Sequence, residues 1–245
     1  MINTGYANIA KFYDEVIGDS DEEIKYIKKI LLKYHGKAKS VLELGCGTGN
    51  NLKALAENYK VCGVDNSPEM LKIAVRKVKG ADFVKADIKN FSSEKSFDSV
   101  ICVYDTINHL NLFSQWQSLF MNTFYNLNEN GLFIFDINTL YKLDMMSEIS
   151  PVINKFSGNY FIADVMNISR FTYNWNLKIF KQTRNNNYRL YETNIKETSF
   201  EIFRIVKDLS KKFEILKIED GMSKKLNQKS ERAYFICRKK SKFSY

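Results

Sequence analysis

Apolar residues recur at helical spacing in Ile24, Ile27, Ile30 and Leu31, directly after the stretch "SDEE". There Ser20 and Glu23 have the spacing of a capping box, so a helix is expected from Ser20. Gly36 follows the run, where a left-handed C-cap residue belongs. The pattern then alternates. Val41–Leu44, Lys60–Val64, Phe83–Val84, Ser99–Val103 and Leu132–Ile137 read as strands, the fourth an apolar run as expected where both faces are covered. Between them lie helical segments. Leu52–Ala56 opens near Gly49; Met70, Leu71 and Ala74 follow Ser67 as N-cap with Pro68 at the first helical position. Leu112, Phe113, Trp116, Leu119, Phe120 and Leu127 form a longer stripe, and Asn130-Gly131 reads as a turn into the fifth strand.

From about residue 150 the period changes to two. Phe171, Tyr173, Trp175, Leu177 and Ile179 alternate with polar residues, the mark of a half-buried antiparallel strand. Tyr160–Val165 and Tyr188–Ile195 are candidate partners, with "RNNN" at 184–187 as a loop. Phe200, Phe203, Val206 and Leu209 return to helical spacing, and Phe213–Ile218 and Ala233–Cys237 read as closing strands. The expected fold is α/β: a Rossmann-like, doubly wound, seven-stranded sheet, mostly parallel with its last strand antiparallel. A small antiparallel insertion at about 150–198 would cover the substrate side. The whole chain, 1–245, reads as a single domain with residues 1–36 as an N-terminal helical cap.

Composition changes little in this picture. Hydrophobic residues make up 44% and charged residues 27% of 245, ordinary for a globular domain. No stretch approaches the roughly 20 apolar residues of a membrane span, and the N-terminus lacks a signal peptide's apolar core, so a cytoplasmic protein without membrane partners is expected. Cys46, Cys62, Cys102 and Cys237 form no C-x-x-C pair and sit in or beside apolar runs, which predicts reduced, buried thiols. Two histidines, His35 and His109, argue against a Cys/His zinc site, and no metal is expected. The net charge of +9 admits a nucleic-acid partner. Lysines are scattered, however, with one C-terminal cluster (Lys224, Lys225, Lys229, Arg232, Arg238, Lys239, Lys240, Lys242), and a solvated basic face is the simpler reading.

Candidate chemistry concentrates in "VLELGCGTGNN", residues 41–51, where Gly45, Gly47 and Gly49 fall between a strand and a helix. Glycine permits positive φ and close backbone approach to a ligand, and helix N-termini offer free N–H groups. Asp65, 18 residues beyond Gly47 at the tip of the second strand, is placed to accept hydrogen bonds from ribose hydroxyls. The spacing is G-x-G-x-G, not the G-x-G-x-x-G of dinucleotide sites.

These features resemble the class I S-adenosylmethionine-dependent methyltransferases. "VLELGCGTG" is similar to their first motif, "VCGVDNSPEML" to the second, "FVKADIKNF" to the third and "FDSVICVYDTINHL" to the strand-four motif. "YANIAKFYD" resembles the N-terminal helix that many small-molecule members fold over the cofactor. The likeness is nearest to bacterial amino-sugar N-methyltransferases and glycine N-methyltransferase, which carry an insertion after strand five. The resemblance implies S-adenosylmethionine as cofactor. Gly45, Cys46 and Gly47 would meet its methionine part, with Glu43 in the same set. Asp65 would hold the ribose with Asn66 and Met70 nearby, Asp87 and Ile88 would meet the adenine, and Val103 and Tyr104 would lie near the methionyl end.

His109 is a candidate base or substrate hydrogen-bonding group, or else a structural histidine of the next helix. Tyr6 and Tyr13 offer rings or hydroxyls to sulfonium and substrate, or belong to an amphipathic helix. Asp105, Asn108, Asp136 and Asn138 stand at the same rim as candidate substrate contacts. Trp175 lines either a substrate cavity or the buried face of a sheet. The expected reaction is methyl transfer to a small-molecule acceptor, an amine first, by a monomer or homodimer. The alternatives are a nucleic-acid methyltransferase and a non-methyltransferase nucleotide-binding Rossmann protein. "VYDTINHL" lacks the D/N-P-P-Y/F motif of base-amine enzymes, and neither Pro68 nor Pro151 precedes a cysteine.

Overall fold

The computed structural model describes residues 5–17, 21–221 and 224–241. The Ser20 cap and Lys242 lie outside them. The central sheet is built from β1 (Ser40–Leu44), β2 (Lys60–Asp65), β3 (Asp82–Lys85), β4 (Phe97–Cys102) and β5 (Leu127–Asn138). It is completed by three late strands, numbered β10 (Phe213–Asp220), β11 (Lys224–Lys225) and β12 (Arg232–Lys239). The order is β11-β10-β12-β5-β4-β1-β2-β3. Strands β1–β5 pair in parallel and β12 runs antiparallel to both β5 and β10. The sheet thus has eight strands, not seven; the extra one is the two-residue β11.

Helices cover both faces. On one side α2 (Asp21–His35), α3 (Asn50–Leu55) and α4 (Pro68–Lys77) bury Ile27, Leu31, Leu52 and Leu71 against Val41, Ile101 and Ile134. On the other, α5 (Phe113–Asn126) and α7 (Ile202–Leu209) bury Trp116, Phe120, Ile205 and Leu209 against Val100, Phe133 and Phe135. Phe135 sits between Phe133 and Phe235, with stacked centroids 4.7 and 4.6 Å away. The short α1 (Tyr13–Ile17) belongs to the N-terminal segment.

After α6 (Leu140–Ile149) comes a second, four-stranded antiparallel sheet. It comprises β6 (Val152–Phe156), β7 (Asn159–Ser169), β8 (Thr172–Gln182) and β9 (Tyr188–Thr198) in sequential order. Its alternating inner face places Ala163, Leu177, Ile179 and Ile195 against Ile9 and Phe12 of the N-terminal segment. Two elements here, α6 and β6, carry no clear sequence period.

Four expectations change. Gly36 ends α2 without a left-handed φ. Asn130-Gly131 is not a turn before a strand, because β5 already begins at Leu127. Asn130 takes φ +62° inside it, and the register against β4 jumps from Phe97–Leu127 to Ser99–Leu132. A Cβ at Gly131 would lie 2.9 Å from the Asn128 carbonyl oxygen, so the kink needs glycine there. Phe203 of α7 points to solvent at 72% exposure, whereas Ile205 and Leu209 are buried. The C-terminal basic cluster is not one solvated face. Arg232 pairs with Asp105 and Asp136, and Lys239 is buried with its ammonium on the Leu127 carbonyl at 2.6 Å.

Phe135→Ala removes the middle ring of the stack. It is expected to cost about 3–5 kcal/mol of unfolding free energy in urea titrations.

Candidate active site

The site forms where the parallel strands end, beside β1. Gly45, Gly47 and Gly49 have φ of +75°, +51° and +80°. A Cβ on Gly45 would stand 2.2 Å from Thr106 Cγ2, so glycine is required there for space as well as for backbone angle. The N–H groups of Gly45 and Cys46 donate to the Val64 carbonyl at 2.7 and 2.9 Å. Asp65, ending β2, accepts from the Gly47 N–H at 2.9 Å and from the Ser67 N–H at 2.8 Å. Burial raises the Asp65 pKa, opposed by those two N–H groups and by His109. Ser67 in turn caps α4 by accepting from the Met70 N–H, with Pro68 next.

These loops wall a cavity of 460 Å³. Gly45, Gly47, Asp65, Asn66, Ser67 and Met70 form its floor. Asp87, Ile88 and Lys89, beyond β3, form one side; Tyr104, Thr106 and His109, beyond β4, form another. Gly5, Tyr6 and Tyr13 close over it, and Asn194, Ile195 and Lys196 of β9 complete the wall. Asp87 carries Lys89 on its carboxylate at 2.8 Å.

Behind the glycine loop lies a smaller recess of 40 Å³, touched by Glu43, Cys46, Asn51, Val103 and Tyr13. Glu43 is 2% exposed. One carboxylate oxygen accepts from the Asn51 amide at 2.6 Å; the other has no partner, and neither has the Asn51 carbonyl oxygen. Burial pushes the Glu43 carboxyl up to about 8. An unpaired buried carboxylate oxygen is costly and is relieved by a cation or hydrogen-bond donor.

The N-terminal segment is pinned at both ends. Asp14 accepts from Thr48 at 2.5 Å, Asn50 at 3.0 Å and Lys77 at 2.7 Å. Partial burial works against its charge, but the Lys77 and Thr48 hydrogen bonds prevail and hold its pKa below the usual range. At the other end the Gly5 carbonyl accepts from the Thr193 hydroxyl of β9. His109 lies 3.3 Å from the Lys196 carbonyl through Nδ1 and 3.1 Å from the Tyr6 hydroxyl through Nε2. A carbonyl cannot donate, so Nδ1 bears the hydrogen, and in the neutral ring Nε2 accepts from Tyr6. Tyr6 also meets Tyr13 and His109 edge-on, at 5.7 and 5.4 Å between centroids.

Residues 41–131 match a protein family described as "Methyltransferase domain". A putative methyltransferase of Geobacillus sp. (strain WCH70) is 33% identical over 147 residues, 57% of this chain and 60% of that protein. The dTDP-3-amino-3,6-dideoxy-alpha-D-glucopyranose N,N-dimethyltransferase of Streptomyces fradiae is 34% identical over 107 residues, 42% of each chain. The matched part thus spans less than two thirds of either relative. A crystal structure of an S-adenosylmethionine-dependent methyltransferase from Clostridium acetobutylicum ATCC 824 shares the fold with a TM-score of 0.87. It is 24% identical and covers 96% of this chain and 99% of that one.

Residues 104–109 join the cavity to the late strands. Tyr104 and Asp105 have φ of +58° and +49°. Such conformations cost of order 1–3 kcal/mol each and persist only where the surroundings enforce them. Five residues singled out in the sequence line neither the cavity nor the recess. Asp105 and Asp136 instead hold Arg232. Asn108 is buried and donates to the Asn138 and Thr198 carbonyls at 3.0 and 3.1 Å, while the Asn138 amide donates to Glu197 at 2.9 Å. Trp175 packs among Leu143, Val165 and Tyr173 and among Ile9 and Phe12. Local sequence gave no sign of the Asp14 clamp, the Thr106 contact with Gly45 or the Arg232 pairing, since each joins distant segments.

Glu43→Gln removes an acid that holds its proton to about pH 8 when folded, against an ordinary 4.5. The folded chain binds that proton more tightly, so native stability is lost as pH rises through this window. The variant's melting temperature should therefore gain on the native chain's between about pH 5 and about pH 8.5. A difference that is flat with pH would refute the assignment.

Proposed function

We propose that this chain is an S-adenosylmethionine-dependent methyltransferase acting on a small amine. The observation that carries this reading is the unpartnered Glu43 carboxylate oxygen behind a glycine cradle. An ammonium group fits that recess, and a methionine moiety supplies one. A pyrophosphate would instead meet two carboxylates, Glu43 and Asp65. Asp65 suits ribose hydroxyls, since each of its oxygens keeps a free lone pair beside its N–H partner. Asp87 and Ile88 suit an adenine.

The bound cofactor supplies an electrophilic methyl group on sulfur. The chain's part is alignment and water exclusion, and positioning of this kind can be worth roughly 7–11 kcal/mol. The strap of residues 5–17 closes the cavity, with Tyr6 and Tyr13 presenting rings and hydroxyls inside it. An amine arriving protonated must lose a proton before it can attack. Tyr6 donates to a histidine whose Nδ1 is occupied by a backbone carbonyl, so His109 Nε2 can receive that proton through the Tyr6 hydroxyl. Asp105, Asn108, Asp136 and Asn138 serve the site from behind, as supports. The amino-sugar acceptor named for the Streptomyces relative agrees with an amine. Four free buried cysteines suit a reducing compartment, and we place the protein in the cytoplasm.

Calorimetry with S-adenosylmethionine, S-adenosylhomocysteine and NAD should give binding to the first two only; NAD binding alone would overturn the reading. Asp65→Ala should weaken S-adenosylhomocysteine at least tenfold, or roughly 1.4 kcal/mol. An unchanged affinity would remove Asp65 from the ribose role.

A further inference from the structure

We propose that Arg232 is a positioning residue for the cofactor site, acting through the left-handed pair Tyr104–Asp105. It rests on the methyltransferase reading above. Arg232 opens β12 and lies in register with Asn138 at the end of β5, so it stands at the ligand end of the sheet. Its guanidinium forks between two carboxylates. One nitrogen donates to Asp105 at 2.7 Å and the other to Asp136. Asp136 also accepts the backbone N–H of Asp105 at 3.0 Å. Asp105 is thereby held by side chain and by backbone in the conformation its φ of +49° disfavours.

The residue before it is held as well. Tyr104 donates its hydroxyl to Glu23 of α2, and Glu23 accepts from Tyr234 at 2.5 Å. Tyr234 stands two residues after Arg232 on the same face of β12. The guanidinium also offsets the charge of Glu23 and of buried Glu197. Four acids thus surround one arginine. A buried ionic cluster is a poor way to gain stability, and its best-attested use is to fix a register. Here the register fixed is that of residues 103–109, which carry Tyr104, Thr106 and His109 into the cavity and set Thr106 against Gly45. Lysine cannot replace the fork, because a point ammonium has no planar pair of donors.

Glycine separates positioning from plain stability. Asp105→Ala and Asp105→Gly both lose the ion pair, but only alanine keeps the left-handed penalty. With S-adenosylhomocysteine as the calorimetric probe, Asp105→Ala should weaken binding about tenfold and Asp105→Gly threefold or less. Arg232→Lys should also weaken it about tenfold, with the binding stoichiometry intact, and Asp105→Gly in that background should restore most of the loss. The proposal is overturned if alanine and glycine at 105 behave alike. It is equally overturned if Arg232→Lys lowers only the melting temperature, or if the glycine fails to rescue. Absence of S-adenosylhomocysteine binding by the native chain would instead sink the methyltransferase reading itself.

Discussion

Everything at the ligand end of the sheet depends on Asp65 accepting two backbone N–H groups, one from each of the first two strand-to-helix loops. Its bonds to Gly47 and Ser67 fix the glycine loop against the start of α4. Two charge-assisted hydrogen bonds of this kind are the stronger class of protein hydrogen bond. Without them the three left-handed glycines would have little to set their direction, because glycine chooses among backbone states at low cost. The same carboxylate faces the cavity, so one group both shapes the loop and lines the ligand space.

Around that joint the domain tolerates an unusual load of buried acid. Glu23, Glu43, Asp136, Glu197 and Glu219 are all buried. Desolvation raises the pKa of the first four, and Arg232 counters part of it for Glu23, Asp136 and Glu197. Glu43 stands apart, since its relief comes only from Asn51. A stability-only design would replace such groups with hydrocarbon. Of the five, Glu43 alone borders the recess behind the glycine loop, and the others line neither of the two cavities.

Much of this was legible in the chain because the relevant signals are local. The apolar runs of β1, β2, β4 and β5, the Ser67-Pro68 cap and the glycine spacing each sit within a dozen residues. The period-two stretch around Trp175 also reads directly as β8. Elements without such a period were not visible: α6 is mixed in character, β6 is short and largely exposed, and β11 has two residues. Asn130-Gly131 misled because a turn signature was absorbed as a kink in a strand. Among the residues lining the cavity, Gly45 and Asp65 were readable from motif spacing and Asp87 from the family resemblance. Asp105, Asp136 and Asn138 were placed at the right rim, but which way they face was not, since Arg232 arrives from a strand 127 positions away from Asp105. Pairings over that range are set by sheet order.

The contact between His109 and residue 196 is made to a backbone carbonyl. Any amino acid at 196 presents that same oxygen, so the imidazole's tautomer is insulated from the side chain there. Residue 196 nevertheless borders the cavity, as do Asn194 and Ile195. Substitutions along this edge of β9 can therefore reshape the cavity wall while the His109–Tyr6 contact is left undisturbed. Selection can work on one wall of the chamber without paying for it in the other.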